Sequence, residues 1–327
     1  MSEKTGIHKT SVGGQALIEG IMMRGPRGSA MSVRLPDGTI ETEYKSFKSF
    51  KDRCKILGWP FIRGVFSFIE SMIIGYKCLM ESAEKSGMLE DEEENPENMS
   101  KLDKWFSEHF NEKVVAVISA IGMVLGFALA FFLFFWLPAF VADVFNNLTS
   151  GAITDYRPLI EGIMRMVIFV AYIAVVSCSK DIKRVFMYHG AEHKTIFCYE
   201  NGCELTVENV KKQSRFHPRC GTSFIFVILI ISIVLSSVLA LAVPGIRENR
   251  AVWIAAKVLL LPIVMSLGYE FIKYAGKHDN IVVKIFSAPG LWMQRLTTKE
   301  PTDDMIEVGI EAFKAVITDN PEDDAIR

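Results

Sequence analysis

A chain of 327 residues with 50% hydrophobic content and a mean hydropathy of +0.25 is too apolar for an ordinary soluble enzyme. Its apolar residues are clustered, which marks a membrane protein with polar segments. With 36 Lys and Arg against 38 Asp and Glu, the net charge of −2 says nothing about nucleic acid, and no basic tract rises above what membrane topology requires.

The opening residues MSEKTGIHKTSVGG lack the apolar core of a secretory signal, so no cleavable signal peptide is expected. Gly at 13, 14, 20, 25 and 28 suits short strands joined by tight turns, and MSVRL, PDG and TIETEY alternate around a hairpin turn. Residues 1–58 are therefore expected to form a small cytoplasmic β-rich domain. Neither a P-loop nor a dinucleotide fingerprint is present. Glu19 and Arg24 are read either as part of a site or as structural ion-pair partners.

In residues 59–84, Arg63, Glu70 and Lys77 recur every seventh position in an otherwise apolar run. They form one narrow polar stripe on a helix that begins near Pro60, which suggests an amphipathic helix lying in the membrane interface. A fifth span or a re-entrant hairpin is the alternative. Residues 85–104, with MLEDEEENPENMS, read as an acidic linker.

Four runs are long enough to cross a bilayer, which takes about 20 apolar residues. They are 114–137, 159–178, 224–243 and 251–272. The first carries Gly122 and Gly126 in a GxxxG pattern that permits close helix contact. In the second, Glu161 and Arg165 are placed to neutralise each other. The last carries Lys257, Pro262 as a kink, and Glu270, which would pair with Lys273 or serve a site. Segments 105–178 and 222–276 thus hold two spans each. The segment between them contains eight Lys and Arg, whereas 138–158 contains only Arg157. By the positive-inside rule both termini and segment 179–221 face the cytoplasm, an inner-membrane topology with the lipid bilayer as first partner.

In residues 277–327, Pro289-Gly290 reads as a turn and Trp292 as interfacial. An amphipathic helix follows, with Thr302 as N-cap and Met305, Val308, Ala312, Phe313 and Val316 on its apolar face, expected to dock on the N-terminal domain.

Segment 179–221 concentrates the chemistry. It holds half of the six His and half of the six Cys: His189, His193, His217, Cys198, Cys203 and Cys220. Imidazole and thiolate both suit zinc, and cytoplasmic thiols stay reduced. His189, Glu192 and His193 form H-x-x-E-H, the inverted zincin order, in which two His hold zinc and the Glu activates water. Gly190 inside it weakens the helix. Cys198, Cys203, His217 and Cys220 would close a structural site, whereas His189 and His193 with one more ligand would leave a position open for water. Glu270 would supply a carboxylate from the same membrane side.

GGQALIEGIMMRGP, PFIRGVFSF, YHGAEHKTIFCYE, ELTVEN, HPRCGTSF, GYE and APGLWMQRLTTKEP together resemble the YqhQ-like family, bacterial multi-pass membrane proteins of unknown function that are labelled metal-dependent enzymes. The resemblance implies an inner-membrane location and a metal. Matching motifs carry that role to His189, Glu192 and His193, and to His217, Arg219 and Cys220, with Cys203 lying between the motifs.

The fold expected is an α-helical membrane protein of about four transmembrane helices plus an interfacial helix. Its expected function is a zinc hydrolase at the cytoplasmic membrane face, with His189, His193, and His217 or Cys220 as ligands, Glu192 as general base, and a lipid or peptide substrate. The alternative is an assembly factor, scaffold or transporter with a structural metal that joins segment 179–221 to the cytoplasmic domain, its partner protein unknown.

Overall fold

The computed structural model describes residues 9–45, 57, 59, 62–88, 112–243, 245–278, 280–318, 320, 323 and 324, with main chain only at 112–120 and 223. Pro60 and nearly all of the acidic segment lie outside the described residues. The described chain is mostly helical, with a four-stranded antiparallel sheet near the N-terminus and four helices long and apolar enough to cross a membrane. It divides into two compact units. One is built from Met1–Met88, Ile173–Ile228 and Met265–Arg327, and the other from Leu89–Tyr172 and Leu229–Val264.

In the first unit the sheet runs in sequence order through β1 (Gly13–Leu17), β2 (Gly20–Gly25), β3 (Gly28–Arg34) and β4 (Ile40–Lys45). The expected PDG hairpin joins β3 to β4, with Arg34 opposite Ile40. Side chains alternate between the two faces of a strand, and here both faces are covered. Ile21, Met23 and Ala30 share a core with Tyr188, Ala191, Met305 and Phe313, while Leu17, Met22, Met31 and Val33 pack with Ile74 and Cys78. This double burial explains why GIMM in β2 is a continuous apolar run instead of an alternating one.

The helix over that second face is α1 (Arg63–Lys85). Its polar stripe is used for docking: Arg63 binds Glu270 at 2.5 Å, and buried Glu70 pairs with Arg24 at 3.4 Å. Gly64 brings the main chains together, since a Cβ there would stand 2.8 Å from Ser266 Cα.

In the second unit, α2 (Glu112–Phe131) runs through a π-helical turn at Phe132–Trp136 into α3 (Leu137–Leu148), and α4 spans Arg157–Val176. The candidate spans are Ile121–Leu148, Thr154–Val176, Phe224–Ala242 and Arg250–Lys277. The expected Glu161–Arg165 pair does not form. Glu161 is already taken by Arg157, by Trp253 Nε1 at 2.8 Å and by Lys257. Arg165 instead donates to the Phe134 carbonyl at 2.7 Å and to Ser232. That carbonyl lies in the π-helical turn, where the regular i to i−4 pattern is interrupted. A Cβ at Gly122 or Gly126 would meet nothing within 4 Å, so among the described residues the GxxxG pattern holds no close helix contact.

The first unit also contains α5 (Lys180–Glu200), the short α6 (Val207–Lys211), the start of α7 (Gly221–Ala242), the end of α8 (Arg250–Lys277), α9 (Ile281–Thr297) and α10 (Asp303–Val316). Pro289 and Gly290 lie inside α9, where a turn was expected. One lost N–H leaves a helix intact when packing holds both sides, and Met293, Gln294 and Thr297 are buried beyond it. The apolar stripe expected for α10 is buried against the sheet and α5, as Met305, Val308, Ala312, Phe313 and Val316 show.

Candidate metal centre

Helix α5 carries the H-x-x-E-H residues, spaced so that His189, Glu192 and His193 share one face. Gly190 is needed there, because a Cβ would collide with the Lys299 carbonyl. The chain after α9 lies that close to α5 because Lys299 N–H donates to the Phe186 carbonyl at 2.8 Å.

Two main-chain carbonyls orient the rings. His189 Nδ1 lies 2.9 Å from the Thr297 oxygen and His193 Nδ1 lies 2.6 Å from the Arg215 oxygen. A carbonyl only accepts, so each Nδ1 carries the proton and each Nε2 is the nitrogen left to bind something else. His189 Nε2 is 3.2 Å from Cys220 Sγ, and one donor atom from each of His189, His193 and Cys220 falls within 4.8 Å of the others. Donors around a tetrahedral zinc stand roughly 3.3–3.8 Å apart, so the cluster needs only a small contraction to enclose one. Carbonyl-held imidazoles are also the usual outer support of zinc ligands.

The electrostatics agree with that reading. Burial alone would raise the Cys220 thiol, but the His189 and His193 rings outweigh it and hold the group well below its ordinary 9.0. Its place just before α7 adds the favourable helix N-terminus. Burial opposes charge on His189 too, yet the Cys220 thiolate prevails and pushes that imidazole up to about 9. The cluster thus demands positive charge next to sulfur.

Glu192 completes the face. Burial pushes its carboxyl up, against the opposing pull of His189 and His193, and its Oε2 is buried with no hydrogen-bond partner among the described residues. The Gly14 amide of β1 is aimed at this carboxyl, and a Cβ on Gly14 would stand 3.0 Å from Glu192 Cδ. A buried oxygen of this kind beside three converging donors suits a site that holds a cation with its water. These groups line a cavity of about 460 Å³.

The other sequence candidates are placed differently. His217 lines the same cavity with its ring 5.5 Å from that of His193, but its Nε2 faces Glu200 at 3.6 Å, and Glu200 is also bound by Arg219. Burial keeps His217 below the ordinary imidazole range. Cys198 donates to the Glu204 carbonyl at 3.4 Å, and Cys203 contacts Asn201 and Gln213, so both serve the turn after α5. Glu270 is held by Arg63 and supplies no carboxylate to the cluster. Glu19 binds Arg184 and accepts from Tyr188 Oη at 3.0 Å, which makes it a tie between sheet and α5.

Several contributors carry little signal in the sequence. Gln294 clamps the main chain of His217 from both sides at 2.7 Å, donating to its carbonyl and accepting from its amide. Thr297 and Arg215 act through carbonyls, which leave no trace in residue identity. Gly14 was legible only as one of many turn glycines.

Residues 59–319 match the model of a family described as "Protein of unknown function (DUF1385)". The "Uncharacterized protein YqhQ" of Bacillus subtilis (strain 168) is 35% identical over 309 residues, covering 93% of this chain and 92% of its own. No solved structure matches.

Proposed function

The chain belongs to the DUF1385 family of proteins of unknown function, and from that premise we propose that it is a membrane-bound, metal-dependent hydrolase with a three-ligand zinc site. His189 and His193 through Nε2 and Cys220 through Sγ are the ligands. The observation that carries this reading is the convergence of these three donors beside the unpartnered Oε2 of Glu192. Three protein ligands with room for a fourth are the mark of a catalytic site, whereas a structural site is closed by four.

When bound, the cation supplies Lewis acidity and makes water a usable nucleophile near neutral pH. Glu192 Oε2 takes a proton from the attacking water as the new C–O bond forms, and returns it to the leaving group as the old bond breaks. A carboxyl raised by burial is better matched to that exchange than an exposed one.

The excess of Lys and Arg in 179–221 over 138–158 supports a cytoplasmic site in an inner-membrane protein with both termini inside. The Arg63–Glu270 pair and the Gly64 contact with the end of α8 support α1 lying at the membrane interface. The scaffold or transporter reading is less favoured, since it gives no role to an unsatisfied buried carboxylate oxygen.

The test is metal analysis with X-ray absorption on full-length protein. Zinc bound by two nitrogens and one sulfur plus one exchangeable light atom is expected, lost in His193→Ala and Cys220→Ala and kept in Glu192→Gln. A fourth protein ligand would favour the structural reading, and absence of metal from the parent would remove the hydrolase.

A further inference from the structure

We propose that the substrate of this centre is an extended polypeptide segment that adds as a fifth strand to the free edge of β1, an inference that rests on the metal-centred reading and names its substrate class. β1 lies at one end of the sheet and, among the described residues, pairs only with β2. The hairpin closes with Leu17 opposite Gly20, so alternation turns the main chain of Gly13, Gln15 and Leu17 toward β2 and that of Gly14 and Ala16 away from it. The outward amide of Ile18, which donates to Ser82 Oγ at 3.3 Å, agrees with this parity. The Gly14 carbonyl and the outward groups of Ala16 have no hydrogen-bond partner among the described residues.

The two ends of the sheet are treated differently. β4, the opposite edge, is guarded by charge: Glu41 and Glu43 bind Lys85, and Lys45 binds Glu81 at 2.5 Å. Charged edges of this kind keep other strands from pairing. β1 carries no charged residue, and its Gly13 and Gly14 are exposed. A Cβ on Gly13 would meet nothing within 4 Å, so the face of the sheet is open at this end of β1.

A cavity lies on each side of this strand. Gly13, Gly14 and Gln15 line both the centre's cavity and a second one of about 460 Å³ that is bounded by Met22, Arg24, Ser29 and Ile74. Side chains of an added strand point alternately to opposite faces, so successive residues would enter the two cavities in turn. Main-chain pairing gives affinity without demanding one sequence. It also runs the peptide past Glu192, which is how an amide would be brought to the centre in fixed register.

The test uses full-length protein in nanodiscs loaded with Zn²⁺ and three probes: acetohydroxamate, a tripeptide hydroxamate, and the same tripeptide with its backbone amides N-methylated. The tripeptide hydroxamate is expected to bind at least about tenfold tighter than acetohydroxamate, the worth of one or two net hydrogen bonds. N-methylation should abolish that advantage on the unaltered protein, and Ala16→Pro, which removes an outward N–H, should reduce it. Equal binding of all three probes overturns the strand-addition inference and leaves the metal centre standing. Failure to load Zn²⁺ removes the metal reading, and the inference with it.

Discussion

Gly190 of α5 presses on the main-chain carbonyl of Lys299, with no space between them for a methyl group. The contact sits one residue from His189, whose ring is oriented by Thr297 in the same stretch of chain. Gly190→Ala must therefore separate α5 from residues 297–299. The loss expected is about 1–3 kcal/mol, the usual cost of overpacking, even though alanine is the better helix former. Thermal unfolding together with zinc content measures it. A variant as stable as the parent with full zinc would show that the close approach is not required.

Cys220 and Cys198 should differ sharply toward an alkylating reagent. The thiolate is the reactive form, and Cys220 is held well below its ordinary 9.0 by the two imidazoles, whereas burial pushes Cys198 up to about 11. Iodoacetamide followed by mass spectrometry on chelator-treated protein at neutral pH should label Cys220 far ahead of Cys198. Added Zn²⁺ should protect Cys220 alone. Equal labelling, or labelling indifferent to Zn²⁺, would contradict the assigned thiolate and its role as ligand.

Acid should loosen the first unit in two stages. His217 is lowered from its ordinary 6.5 by burial, so the unfolded chain takes up a proton before the folded one does. Its contribution is therefore complete above pH 6.5 and is lost as pH falls below that value. For Glu200, burial would raise the carboxyl, but the His217 and Arg219 contacts prevail and lower it from 4.5. That contribution is lost in turn as pH falls below 4.5 toward its depressed folded value. Unfolding midpoints should thus be level in mildly alkaline buffer and fall on the acid side, and His217→Asn should remove the upper part of the fall. An unchanged slope in that variant would exclude His217 as its source.

The spans, the PDG hairpin, the α10 stripe and the shared face of His189, Glu192 and His193 were legible because each is a periodic pattern within one segment. What escaped was set by partners distant in sequence. Glu270 reads as a partner of Lys273 or as a site carboxylate, whereas Arg63, far earlier in the chain, binds it. Pro289-Gly290 carries the strongest local turn signal, yet tertiary burial keeps α9 continuous through it. Cys220 was legible as a ligand type, but its meeting with His189 joins α5 to the start of α7, and the Gln294 clamp on the nearby His217 main chain is a contact no spacing reveals.

The charges buried in the second unit give a separate test. Glu161 and Lys257 form an ion pair in which both side chains are almost wholly buried, at 1% and 3% exposure. Glu161 also takes hydrogen bonds from Trp253 and Arg157, so its carboxylate is satisfied while Lys257 depends on it. Removing one member of such a pair leaves the other buried without its partner, which costs about 3–5 kcal/mol, whereas replacing both by groups of similar size is close to neutral. Glu161→Gln should therefore destabilise strongly, since Lys257 then faces Arg157 with no anion between them. Lys257→Met should cost less, because three donors shrink to two around the same carboxylate. The double variant should regain most of the loss of Glu161→Gln, as read by thermal unfolding in detergent. Additive losses in the double variant would mean that the two residues act independently, and that the short contact between them contributes nothing to holding these helices together.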